Sequence, residues 1–263
     1  MTRLGFVGTA LRVAVLGIFV SIICVILPGG AVAQEAAAPS LNELGSVFSG
    51  DGEGALSGTI IQLFLVVTVL SLAPGIAMMV TCLPFFVIVF SILRQAIGVQ
   101  QAPPNMMIMA LCMFLTFFIM EPVFMDAWAN GISPYMEGQL TESEAWVAST
   151  EPFRAFMGNR VDATTLEGLA DSVNRPIPEG GEPSFALLST AFMLSEIKHA
   201  FQIGFVIFLP FMVIDLVVAS VLMAVGMMMV PPTVVSLPFK LGFFVLADGW
   251  LNITDALLRG YAG

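Results

Sequence analysis

The chain has 263 residues, 58% of them hydrophobic and only 11% charged, with a formal net charge of -10. A soluble domain carries about a quarter charged residues, so this chain cannot hide its apolar groups in one aqueous core and has to face lipid, partner subunits or both. The acidic balance leaves too few cations to neutralise phosphates, which excludes nucleic acid as a partner.

Residues 1–33 read as a signal peptide. Arg3 and Arg12 supply a positive n-region, Val13 to Leu27 an apolar run of about fifteen residues, and Ala31-Val32-Ala33 a small-residue cleavage pattern before Gln34. An uncleaved first transmembrane helix is the alternative, for which the run is short. Residues 34–57 are rich in Ala, Ser, Gly and Asp without a hydrophobic period, and read as a flexible lead-in on the far side of the membrane. Residues 58–125 form an N-terminal hydrophobic region. From Gly58 to Gly98 the run is about twice the length of one span, and Pro74-Gly75 interrupts it, so a helical hairpin or broken helix is expected. Gln100 to Asn105, with Pro103-Pro104, reads as a turn, and Asn105 to Met125 as the next apolar segment.

Residues 126–185 differ sharply. They hold ten of the nineteen acids against Arg154, Arg160 and Arg175, and read as a partly helical aqueous insert with a Pro/Gly-rich exit. A loop poor in Lys and Arg is the kind that is translocated, so the insert is expected outside the cytoplasm. Residues 186–263 form a C-terminal hydrophobic region with segments at Ala200 to Val230 and Val234 to Leu258, punctuated by Pro231-Pro232. The first contains Pro210 and is expected to kink or to exceed a simple span.

Ionisable groups inside apolar segments cost about 2.5–3.5 kcal/mol each at a helix centre and so mark protein or water contacts. They are Arg94, Glu121, Asp215, Lys240 and Asp248, with Glu196, Lys198 and His199 at a segment entrance. Counted from Pro231-Pro232, Asp215 and Lys240 differ in depth by about 12 Å in a straight hairpin. A direct intrachain pair is therefore not the obvious reading, and contact between subunits is at least as plausible; either a gating salt bridge or a static pair fits. Glu196 and Lys198 are two apart and point to different faces, as in an amphipathic entry helix with intersubunit polar contacts. His199 reads as an interfacial residue rather than a proton relay. Arg94 belongs to a polar tip near the cytoplasmic interface, or snorkels there.

Met227, Met228 and Met229 cannot all share one helix face. They read as a loop or helix end, either packed in the ordinary way or forming a compliant apolar ring in an oligomer. Cys24, Cys82 and Cys112 have no metal or redox spacing. No nucleophile elbow, zinc-protease motif or phosphate loop is present, so an enzyme, a cofactor and a metal are not expected.

Three strings carry a family resemblance. LPFFVIVFSILRQAIGVQQAPPN (Leu83 to Asn105) resembles the first signature of the FliP family of flagellar export-gate proteins and their injectisome relatives. FMLSEIKHAFQIGFVIFLPFMVIDLVVASVLMAVGMMMVPP (Phe192 to Pro232) is similar to its second signature, and LPFKLGFFVLADGW (Leu237 to Trp250) to its C-terminal motif. Together they cover most of Ile60 to Ala256 apart from the insert. The signal peptide and the GMMMVPP string favour the flagellar branch; an injectisome export-gate subunit is the alternative. A secondary transporter or ion channel competes less well, since no inverted repeat is visible.

The resemblance implies an all-α membrane protein of broken helices and helical hairpins with an extracytoplasmic helical insert, assembling into a helical or ring-like pore, typically of five copies. It implies FliQ and FliR as gate partners, other export-apparatus membrane proteins beside them, and unfolded flagellar proteins as the cargo. The expected place is the bacterial inner membrane within the flagellar basal body, with the insert in the periplasm. Met227, Met228 and Met229 match the family's methionine gasket. Arg94, Glu196, Lys198, Asp215 and Lys240 become gating or subunit-contact candidates.

Overall fold

The computed structural model of the protein describes residues 64, 67, 68, 71, 72, 75–99, 102–174, 177, 181–227 and 229–262. The signal peptide, the lead-in, Pro74, Gln100, Gln101 and Met228 lie outside them. The chain divides into two compact units, Met1–Ala77 and Met78–Gly263. In the first, the Thr68 hydroxyl donates to the Phe64 carbonyl at 2.7 Å, the four-residue spacing of a helix.

The second unit is built from helices, with no strand among the described residues. Helix α1 (Leu83–Ile97) starts with proline in its first turn and ends at Gly98, whose φ of 89° lets its N–H close back onto the Arg94 and Gln95 carbonyls. It is the core of the fold. Phe85, Phe86, Val89, Phe90, Leu93 and Ala96 are almost wholly buried on several sides of it, and each buried Phe contributes about 2–3 kcal/mol of apolar transfer. Helix α2 (Asn105–Ala127) follows and passes through a π-turn, Trp128–Ile132, into the single turn α3 (Ser133–Met136). The three run as one 32-residue rod, Asn105–Met136.

The acidic insert is helical and is not a free-standing lobe. Its helix α4 (Glu142–Arg160) is started by a capping box in which the Thr141 N–H donates to the Glu144 carboxylate at 2.9 Å. Those bonds hold the Glu144 carboxyl below the usual range. Helix α4 packs on α2, on the π-turn and on α6, and helix α5 (Ala163–Ser172) packs on α6. Phe156 meets Phe192 edge to face with centroids 5.8 Å apart, next to a small core of Met157, Leu188 and Phe192.

Helix α6 (Phe185–Ala224) is capped by Ser184 and runs unbroken through Pro210 for 40 residues, about 60 Å. That is twice a bilayer's hydrocarbon thickness, in line with the expected excess over a simple span. Its first half packs inside the protein, where Gly204 admits the Ile92 side chain so closely that an added Cβ would overlap it. Its second half is apolar and largely exposed.

Val234 to Leu258 reads as one segment in the sequence, and here the structure differs. Helix α7 (Pro232–Leu246) and helix α8 (Gly249–Ala262) meet at a 60° bend. Asp248 takes a φ of 44°, and Gly249 follows with the Phe244 ring lying where a Cβ would stand. A short polar residue that tolerates left-handed backbone, followed by glycine, breaks the helix without any proline. Asn105–Met136 and Phe185–Ala224 are long and apolar enough to cross a membrane, and the bent α7–α8 pair would be a third if it counts as one span.

The π-turn yields a stability prediction. A Cβ on buried Gly131 would stand 2.7 Å from the Ser149 amide nitrogen, so both backbones have to shift. Gly131→Ala is expected to cost about 1–3 kcal/mol, whereas Gly158→Ala, in open space on α4, is neutral or stabilising by up to about 1 kcal/mol. Thermal unfolding of the two variants in detergent checks this, and equal midpoints would contradict it.

Candidate functional site

The α6–α7 hairpin brings Asp215 and Lys240 together within one chain. Lys240 Nζ donates to Asp215 Oδ2 at 2.5 Å. The offset expected from the sequence disappears because the turn is not at the prolines. Helix α6 ends at Ala224, where Gly226 has a φ of 81° and the Met227 N–H closes onto the Leu222 carbonyl at 2.9 Å in a Schellman-type stop. Residues 225–227 and 229–231 lie outside both helices and add no matching rise. Asp215 then lies nine residues before the end of α6 and Lys240 eight after the start of α7, which is level to about one residue's rise.

Two further groups complete this cluster. The Ser236 hydroxyl donates to Asp215 Oδ1 at 2.5 Å. Lys240 also donates to the Ala96 carbonyl at 3.1 Å. That carbonyl belongs to the last turn of α1, whose final carbonyls have no partner within the helix. The ammonium thus neutralises a carboxylate and caps a helix C-terminus, where positive charge is favoured. Only 8% of the Lys240 side chain is exposed, against 34% for Asp215.

The second cluster ties the insert to α6. Glu196 is fully buried, and its Oε1 accepts from Arg160 Nε at 3.0 Å while its Oε2 accepts from the Tyr261 hydroxyl. The Arg160 guanidinium lies 3.6 Å from the centroid of the Tyr261 ring. Nearby, Lys198 is ion-paired with Asp162, and the Asp162 N–H donates to Ser195 Oγ at 3.0 Å. The Lys198 hydrogen bond holds the Asp162 carboxyl below the usual range. Glu196 and Lys198, expected at intersubunit contacts, thus find partners inside the chain.

Arg94 binds the Asn105 side chain and, at 3.5 Å, the Pro103 carbonyl, so it pins the α1–α2 turn. His199 is half-buried, with Nδ1 enclosed and unbonded. Met227 is 48% exposed and Met229 97%, in the turn between the two apolar helices. Among the described residues no group of three or more His, Cys, Asp or Glu stands close enough to hold a metal. Arg160, Asp162, Ser236 and Tyr261 do not stand out as site residues in the sequence. Ser236 lies one helical turn before Lys240 and is the one that spacing alone offers.

The FliP family model matches residues 66–257. The flagellar biosynthetic protein FliP of Agrobacterium fabrum is 44% identical over 238 residues, covering 89% of this chain and 94% of that protein. That of Caulobacter vibrioides is 43% identical over 251 residues, with 95% and 91% covered. That of Bacillus subtilis is 41% identical over 222 residues, with 84% of this chain and all of that protein covered.

The Lys240 geometry makes a directional prediction. Lys240→Ala is expected to cost about 2 kcal/mol, between an exposed pair and a fully buried one. The charge swap Asp215→Lys with Lys240→Asp is expected not to restore stability, because a carboxylate at 240 faces the Ala96 carbonyl. Unfolding of the two variants in detergent checks this, and full recovery in the swap would reduce the cluster to a simple pair. A pH effect follows from Asp162. Its lowered pKa adds stability that is present in full above the ordinary aspartate value near 4 and is lost as pH falls through the folded value. Protease resistance of the insert is expected to drop below about pH 4 in the wild type, with a smaller acid dependence in Asp162→Asn.

Proposed function

The chain belongs to the FliP family, and on that premise we propose that it is a channel-forming subunit of the flagellar type III protein export gate, without enzymatic activity. Its curated relatives are named flagellar biosynthetic proteins, which makes this chain a component of flagellar biosynthesis. Unfolded flagellar subunits are the cargo, about five copies form the ring, and FliQ- and FliR-type subunits join it in the inner membrane. The insert faces the periplasm.

The observation that carries this reading is the turn at Met227 and Met229. It holds exposed, soft, unbranched side chains at the tip of a hairpin whose apolar flanks have little cover among the described residues. Phe201, Phe205, Val206, Val213, Leu216, Val217 and Met223 on α6 are all more than half exposed. Water is a poor neighbour for such a surface, and further copies, gate partners and lipid are good ones. A ring of the turns places several thioether chains in one narrow passage. Such a constriction sheds water and blocks ions, yet yields to a polypeptide because methionine rotates freely.

The Asp215 carboxylate argues against an ion-carrier reading. A coupling-ion site needs free oxygen ligands near the midplane, and both Asp215 oxygens are engaged by Lys240 and Ser236. The flagellar names of the relatives favour the flagellar branch over the injectisome branch.

Replacing Met227, Met228 and Met229 together by Ala tests the proposal. The expected outcome is raised ion leakage across the membrane in cells where the complex still assembles, with altered secretion of flagellar subunits. Normal sealing together with normal secretion would make the triplet ordinary packing and move the constriction elsewhere.

A further inference from the structure

We infer that Tyr261 is a positioning residue for the buried Arg160–Glu196 pair, which makes α8 a strap that latches the insert onto the long helix. The carboxylate has no exposed surface, and burying a charge is costly unless each oxygen is answered. Arg160 answers one oxygen and the Tyr261 hydroxyl the other. The same tyrosine covers the guanidinium with its ring, and the neighbouring Gly260 carbonyl stands 3.5 Å from Arg160 Nη1. The last turn of α8 therefore touches both members of a pair whose halves sit on α4 and α6.

The ring is held in turn. Phe85 and Phe86 on α1 lie 5.1 and 5.6 Å from it by centroid, and Phe156 on α4 lies 6.4 Å away. With the ring so packed, its hydroxyl reaches Glu196. Tyr261 lies beyond the residues that the family model matches, so the latch is a reading of this chain's own geometry. At its other end α8 is fixed by Trp250, which stacks on Phe90 at 6.3 Å and meets Phe244 of α7 at 5.3 Å. The strap thus runs from the α7 bend to the buried pair, with aromatic packing at its start and polar bonds at its end.

Cys82 reports on the latch without any added probe. It is fully buried, immediately before α1, and its carbonyl accepts from the N–H of Phe86, whose ring packs against Tyr261. Cys112 is equally buried on α2. The experiment uses full-length protein in membranes, carrying one of these thiols at a time with the other two cysteines replaced by Ala, and measures the rate of alkylation by N-ethylmaleimide. Tyr261→Phe keeps the ring and removes the hydroxyl. It is expected to raise the Cys82 rate about tenfold, the size of one hydrogen bond to a charged group, while Cys112 stays protected. In a Glu196→Met background, where no carboxylate needs positioning, Tyr261→Phe is expected to add nothing. An unchanged Cys82 rate in Tyr261→Phe would overturn the inference. An equal rise at both thiols would overturn it too, since that reports general loosening of the fold, as would the same rise in the Glu196→Met background.

Discussion

A helix of 40 residues has to be held at one end and covered at the other, and the fold follows from how α6 meets both demands. Its first half is wedged among α1, α4 and α5. Among the described residues, its second half meets little but α7 and presents large apolar side chains outward. Neither propensity nor hydrogen bonding inside the helix decides this division. It is decided by where the rest of the chain supplies apolar partners, and beyond Gly204 the described residues supply few. An apolar face of this size is poorly matched to water and well matched to lipid or protein neighbours, in keeping with the apolar composition of the chain.

Two charged clusters secure the helix, and each does so at a junction of three elements. The Glu196 cluster joins α4, α6 and α8. The Asp215 cluster joins α1, α6 and α7. An isolated buried ion pair often contributes little against apolar replacements, but these charges also fix register. Lys240 can satisfy Asp215 and the end of α1 only when the hairpin is level to within a residue, and Glu196 can meet Arg160 and Tyr261 only when the insert lies against α6. Apolar packing alone tolerates sliding along a smooth helix, whereas these bonds do not.

Much of the helical plan is legible in the sequence. The apolar segments, the acidic insert and the turn at Pro103-Pro104 all stand out, because hydropathy and proline are local signals. The types of the site residues are legible too, since charge inside an apolar run is conspicuous. Their geometry is not. Pro231-Pro232 is the natural place from which to measure the hairpin, but proline starts α7, and Gly226 is what stops α6. The break at Asp248-Gly249 carries no proline and reads as a continuous segment. Arg160 and Tyr261 stand 36 and 65 residues from Glu196, and no periodic pattern links groups so far apart. The resemblance to the FliP family rests on long strings of residues, and those strings do not print which residues touch.

In the proposed export gate, the turn at Met227 and Met229 lines the passage taken by exported protein where copies of this chain meet. A photo-reactive amino acid at position 229, in cells exporting a flagellar subunit fused to a fold too stable to pass, tests it most directly. The proposed gate predicts adducts to the arrested subunit and to neighbouring copies of the chain. Adducts to lipid alone, with export arrested and the complex assembled, would contradict it.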